Sequence, residues 1–126
     1  MKTKKAPAPI LNENPLVELS ELGQSVWFDY IKKSLIESGE LARMIAEDGL
    51  KGVTSNPSIF EKAIAGSDDY AADFATERAN CARDPKSVYE RLAIRDIQAA
   101  CDVLAGVYKS TKCHLSCSSL LRRYRD

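Results

Sequence analysis

Asp29, Thr54, Ser55 and Asn56 are the residues whose types and positions point to chemistry. The last three lie in Asp48-Gly49-Leu50-Lys51-Gly52-Val53-Thr54-Ser55-Asn56-Pro57-Ser58-Ile59-Phe60, which reads as a short strand running through a polar turn into a helix. Gly52 and Val53 form the body of that strand. Asn56 caps the helix, and Pro57 takes its first position, where a missing N–H costs nothing. Ligands of parallel α/β proteins gather at the C-terminal ends of strands, so small polar groups there are candidates for holding one. The same residues also suit an ordinary strand-to-helix turn. Upstream, Ser25-Val26-Trp27-Phe28-Asp29-Tyr30 is rich in β-formers and predicts a buried strand. A carboxylate near the end of such a strand is costly to bury alone, so Asp29 is expected at a pocket mouth or in water.

The elements that must position these groups follow from the apolar spacing. Leu41, Met44 and Ile45 share one face of a helix expected from about Ile36 or Gly39 to Asp48, with Gly49 as its stop. Strand, helix, strand is a βαβ crossover, which makes the strands parallel and the connection right-handed. Asp29 and Asn56 then lie at the same end of neighbouring strands. Before the first strand, Asn14 caps a helix with Pro15 in its first turn, carrying Leu16, Val17, Leu19 and Leu22 and stopped by Gly23. Residues 1–13, with Lys2, Lys4, Lys5, Pro7 and Pro9, read as a disordered leader. Beyond Pro57 the pattern is helical to about residue 109. One helix ends at Gly66, a second opens at Asp68 or Asp69 and runs to about Ala82, and Asp84-Pro85 starts a long third helix. Its stripe is Val88, Leu92, Ile97, Ala100, Cys101, Leu104 and Tyr108. A residue 14–109 unit and a divergent tail over 110–126 complete the organisation.

Charge and cysteine usage narrow the function classes. Eighteen basic and eighteen acidic residues cancel, so no charge excess points to nucleic acid or a membrane surface. No apolar run approaches a bilayer span and no secretory signal is evident, which makes a cytoplasmic protein the expectation. Cys81 and Cys101 read as small hydrophobes on helices. Cys113-His114-Leu115-Ser116-Cys117 contains potential metal ligands but no second pair at finger-like spacing, so no metal site is expected. The 126 residues suffice for one core, yet amount to about half of what an eight-fold barrel typically needs.

Asn14-Pro15-Leu16, Gly23-Gln24-Ser25-Val26-Trp27-Phe28-Asp29-Tyr30-Ile31, the Gly49-to-Phe60 stretch with its Thr-Ser-Asn-Pro-Ser run, and Ala93-Ile94-Arg95-Asp96-Ile97 together resemble the N-terminal part of a bacterial transaldolase. The resemblance covers about residues 12–109. It is nearest the longer type, including forms fused to a glucose-6-phosphate isomerase domain. It implies an α/β fold: the N-terminal portion of a (β/α)8 TIM barrel, with two parallel strands plus several helices, an incomplete barrel. The implied reaction moves a dihydroxyacetone unit from sedoheptulose 7-phosphate to glyceraldehyde 3-phosphate. The products are erythrose 4-phosphate and fructose 6-phosphate, within the pentose phosphate pathway. A lysine Schiff base serves as the electron sink, without metal or organic cofactor. Asp29 matches the first-strand aspartate that handles a substrate hydroxyl proton. Asn56, with Thr54, matches the residues that hydrogen-bond the bound unit.

The family's third-strand glutamate and fourth-strand Schiff-base lysine have no counterpart after Tyr108. The change near Thr111 suggests a shifted reading frame and a truncated product, which sequencing the gene across that codon would test. Lys32, Lys33, Lys51 and Lys62 read as surface charges rather than substitutes. Two parallel strands leave an unpaired edge, and the long helix is expected to find little to pack on, giving a marginally stable product. The sequence therefore supports a transaldolase-type enzyme that is inactive alone. The alternatives are a non-catalytic truncated remnant or helix-mediated interaction module, and a metal- or nucleic-acid-binding protein using the tail with Arg122, Arg123 and Arg125.

Overall fold

A computed structural model describes residues 13–80 and 84–111. The leader, apart from Glu13, and the tail from residue 112 lie outside the described residues, as does Cys81. In chain order the elements are α1 (Pro15–Glu21), β1 (Trp27–Phe28), α2 (Lys33–Glu37), α3 (Glu40–Glu47), β2 (Gly52–Val53), α4 (Pro57–Ala65), a 3-10 turn (Asp68–Tyr70), α5 (Ala71–Asn80) and α6 (Pro85–Ser110). Three helices begin with the same local chemistry, an Asx side chain followed by proline. Asn14 accepts from Leu16 N–H at 3.0 Å, Asn56 from Ile59 N–H at 2.9 Å and Asp84 from Ser87 N–H at 3.2 Å.

β1 and β2 pair in parallel, with Trp27 opposite Gly52 and Phe28 opposite Val53. Backbone bonds extend the pairing on both sides, from Lys51 N–H to the Val26 carbonyl and from Thr54 N–H to the Phe28 carbonyl, each 2.9 Å. Gly52 is required by its neighbour. A Cβ there would sit 2.7–2.8 Å from the Trp27 indole ring, far inside van der Waals contact. The first strand is not buried as expected: Trp27 is 36% exposed, and Val26, Phe28 and Tyr30 are only half-buried. With two strands and one packed face, half of the strand's side chains meet water.

Between the strands the chain folds into two helices where one was expected. Gly39, at φ +80°, separates α2 from α3, a backbone conformation that side chains with a Cβ rarely adopt. The α3 face is as anticipated, with Leu41 fully buried and Met44 and Ile45 packed beside it. Asn14 ties α1 to the end of α3 by donating its side-chain amide to Asp48 Oδ1 at 2.7 Å and to the Glu47 carbonyl at 3.1 Å.

The long helix does not lack a partner, contrary to expectation. α6 packs on α2, α3 and α5. Ala93 and Ala100 join Ile31, Leu41, Leu50 and Phe60 in one cluster, and Val88 and Leu92 join Tyr70 in a second. Helices, rather than a sheet, bury its stripe. Cys101 is buried on α6 as a small apolar residue. No described helix is long and apolar enough to cross a membrane.

Candidate functional site

The parallel register places Asp29 and Thr54 one step beyond the paired residues, at the C-terminal ends of β1 and β2. Their side chains meet: the Thr54 hydroxyl donates a short hydrogen bond to Asp29 Oδ1. Asp29 is exposed and Thr54 half-buried, so the carboxylate keeps its second oxygen open toward water. Ionised, it accepts hydrogen bonds; protonated, it donates one.

Asn56 is exposed two residues further along, at the start of α4. Its carbonyl oxygen is used by the Ile59 cap, which leaves the NH2 group as the donor of this exposed side chain. A groove of about 490 Å3 opens beside it, lined by Ser55, Asn56 and Pro57 at the turn and by Phe60, Tyr89, Ala93, Ile94 and Ile97 among others. Tyr89 closes one wall by donating its hydroxyl to the Pro57 carbonyl at 3.0 Å. Asp29 and Thr54 do not line this groove. The expected residues thus share one end of the sheet, with a direct contact for the Asp29–Thr54 pair, while Asn56 borders a separate recess.

The lysines separate further. Lys62 is exposed on α4, as expected. Lys33 is not a solvated charge: its side chain is 21% exposed and its Nζ donates to Asp73 Oδ2 at 2.8 Å, with Glu37 at 3.9 Å. The Asp73 hydrogen bond holds the Lys33 amine above its ordinary pKa. An amine held as ammonium is the opposite of what imine chemistry asks for. Asp73 also receives both terminal nitrogens of Arg95, at 3.1 and 2.8 Å. Arg95 first, and then Lys33, depress the Asp73 carboxyl to about 2.

Sequence reading missed a buried polar pair behind this network. Asp96 is 3% exposed on α6, and its Oδ2 accepts the Tyr70 hydroxyl at 2.5 Å. Burial raises the Asp96 pKa, and burial together with the Asp96 hydrogen bond pushes the Tyr70 phenol up. A signal was present: Asp96 sits four residues from both Leu92 and Ala100, on the buried stripe itself. Among the described residues no group of three or more His, Cys, Asp or Glu could hold a metal. The segment Cys113 to Cys117 lies outside them.

A family model for transaldolase/fructose-6-phosphate aldolase matches residues 26–120 of this sequence. That match reaches past residue 109, where the sequence resemblance had been drawn to end. The chain is similar to the transaldolase of Trichodesmium erythraeum, 46% identical over 99 residues, covering 79% of this chain and 26% of that protein. The transaldolase of Thiobacillus denitrificans is 50% identical over 92 residues, covering 73% of this chain and 25% of that protein. For transaldolase 2 of Nostoc punctiforme the identity is 44% over 102 residues, covering 80% and 26%. The chain therefore spans about a quarter of the length of these curated relatives.

Proposed function

Because this chain belongs to the transaldolase/fructose-6-phosphate aldolase family, we propose that it supplies the first two strands of a (β/α)8 barrel together with part of a sugar-phosphate site. The reaction is transfer of a dihydroxyacetone unit from sedoheptulose 7-phosphate to glyceraldehyde 3-phosphate through a lysine Schiff base. The observation that carries this reading is the Thr54 hydroxyl bound to the Asp29 carboxylate at matching ends of parallel strands. Asp29, open on one oxygen, takes a proton from a substrate hydroxyl as the carbon–carbon bond breaks. Thr54 orients that carboxylate and contacts the bound unit, and the Asn56 amide donates a hydrogen bond to a substrate oxygen. Lys33, held as an ammonium by Asp73, is not the imine-forming amine.

The test joins this chain to the part of the Trichodesmium erythraeum transaldolase that lies beyond the matched segment. The joined enzyme is expected to transfer the three-carbon unit, and Asp29→Asn to lower kcat by about 10²–10⁴-fold, the range for a lost general acid–base group. Unchanged turnover in that variant would remove Asp29 from the chemistry. With the chain by itself, borohydride and fructose 6-phosphate are expected to leave no covalent adduct.

A second reading is favoured by the surface. Leu16, Leu19, Leu22 and Trp27 are exposed around α1 and β1, an apolar face that further polypeptide would cover. On this reading the chain acts as a non-catalytic, helix-mediated association module. Association in sedimentation, abolished by Leu19→Lys with Leu22→Lys, is the expected outcome.

A further inference from the structure

Asp29 belongs to a short connection that is fastened at both ends. At its start, the Phe28 carbonyl accepts Thr54 N–H at 2.9 Å. At its far end, Lys33 N–H donates to the Tyr70 hydroxyl oxygen at 2.8 Å. Between them Ile31 is buried in the core at 1% exposure. The first turn of a helix leaves N–H groups without partners inside the helix, and Lys32, the residue before α2, offers no side-chain cap. Tyr70, 37 positions away in sequence, caps α2 instead.

That cap has a direction. The Tyr70 hydroxyl has one proton, and it is given to Asp96 Oδ2 at 2.5 Å. The lone pairs of the same oxygen are thereby turned toward Lys33 N–H. Tyr70 itself is 1% exposed and wedged with Val88 and Leu92, so the phenol cannot follow a moving loop. A second tie runs in parallel through Lys33 Nζ, Asp73 and Arg95, joining α2, α5 and α6.

We propose that Tyr70 and Asp96 are positioning residues for Asp29: buried in the helical layer, they fix the exit of β1 and so hold the Asp29 carboxylate on the Thr54 hydroxyl. The proposal rests on the reading of Asp29 as a site residue and adds to it two residues that never touch substrate. It makes the geometry at the strand ends depend on α6, four elements further along the chain than β2.

The experiment follows the full chain, isotopically labelled, by NMR. Lys33 amide exchange reports the cap, while the Asp29 carboxyl carbon and Thr54 methyl shifts report the side-chain contact. Thr54→Val, which deletes the contact, calibrates those shifts. In the unaltered protein the Lys33 amide is expected to exchange as slowly as that of Thr54, and fast exchange at Lys33 alone overturns the proposal without any variant. Tyr70→Phe is expected to speed Lys33 exchange at least about tenfold and to move the Asp29 and Thr54 signals toward their Thr54→Val positions. Asp96→Ala, which removes the acceptor for the phenol proton, is expected to do the same, and Asp96→Asn, which keeps an acceptor, to restore the unaltered pattern. An Asp96→Ala spectrum with unmoved Lys33, Asp29 and Thr54 signals would remove Asp96 from the positioning pair. Tyr89→Phe, which removes a hydroxyl bound elsewhere, retains the unaltered pattern. A Tyr70→Phe spectrum with faster Lys33 exchange but unmoved Asp29 and Thr54 signals would make Tyr70 merely structural. Failure of the functional reading is separate, appearing only as retained turnover of the joined Asp29→Asn enzyme.

Discussion

The strand ends and the helical interior of this chain are built on different scales of restraint. Asp29 and Thr54 sit at the limit of a two-stranded sheet, held by one side-chain bond and a few backbone bonds, with Asp29 in water. Tyr70 and Asp96 are enclosed by α6 and its neighbours, and Leu92 beside them is 1% exposed. The groups proposed for chemistry are thus the thinly held ones, and the firmly held ones lie buried behind them. A residue that must meet a ligand cannot be sealed in a core, so its geometry has to be supplied from behind.

Substitutions in the two regions should therefore separate in magnitude. Leu92→Ala, in the enclosed region, is expected to cost about 2–5 kcal/mol, read by urea denaturation, since truncating a buried leucine leaves a cavity. A loss below 1 kcal/mol, on the order of a surface change, would break the contrast. Gly52→Ala tests the strand region where it is tight. Its Cβ must displace the Trp27 ring, at an expected cost of about 1–3 kcal/mol. The chain has one tryptophan, so a red-shifted fluorescence maximum would report the ring moving into water.

The charge network gives a smaller, pH-dependent effect. Asp73 is held near 2 against an ordinary 3.8, with Arg95 as the main cause and Lys33 next. Its folded pKa lies below its unfolded one, so the stability it contributes is present above about pH 4 and is lost as pH falls toward 2. Asp73→Asn is expected to lower stability near neutrality by about 1 kcal/mol, the upper end for water-screened ion pairs. The variant and the unaltered protein should converge at the acid end. Asp96 works with the opposite sign: burial raises its pKa, so ionising it as pH rises opposes folding. The smallest expected effect is at the site itself, where Asp29→Asn changes stability by no more than about 0.5 kcal/mol because the carboxylate is exposed.

Much of the local structure was legible without coordinates. The Asx-Pro starts at Asn14, Asn56 and Asp84, the stops at Gly23, Gly49 and Gly66, and the Leu41-Met44-Ile45 face all depend on contacts within a few residues. The parallel pairing followed from chain order, and with it the common end shared by Asp29 and Asn56; that Thr54 is the residue in contact with Asp29, while Asn56 borders a separate groove, did not. The separate helix α2 ahead of Gly39 and the surroundings of α6 were not legible. Periodicity says that a face is buried but not against what, and here α2, α3 and α5 cover it.

The amino-acid order by itself determined where helices begin and end, which strand end carries the polar groups, and the family to which they belong. Those properties depend on neighbours a turn or a strand apart. Tertiary structure alone decided that Lys33 is an ion-paired ammonium rather than a solvated charge, that Trp27 stays about one-third exposed, and that Tyr70 reaches Lys33 while bound to Asp96. Each of these depends on groups tens of residues apart, whose meeting is set by how the helices stack.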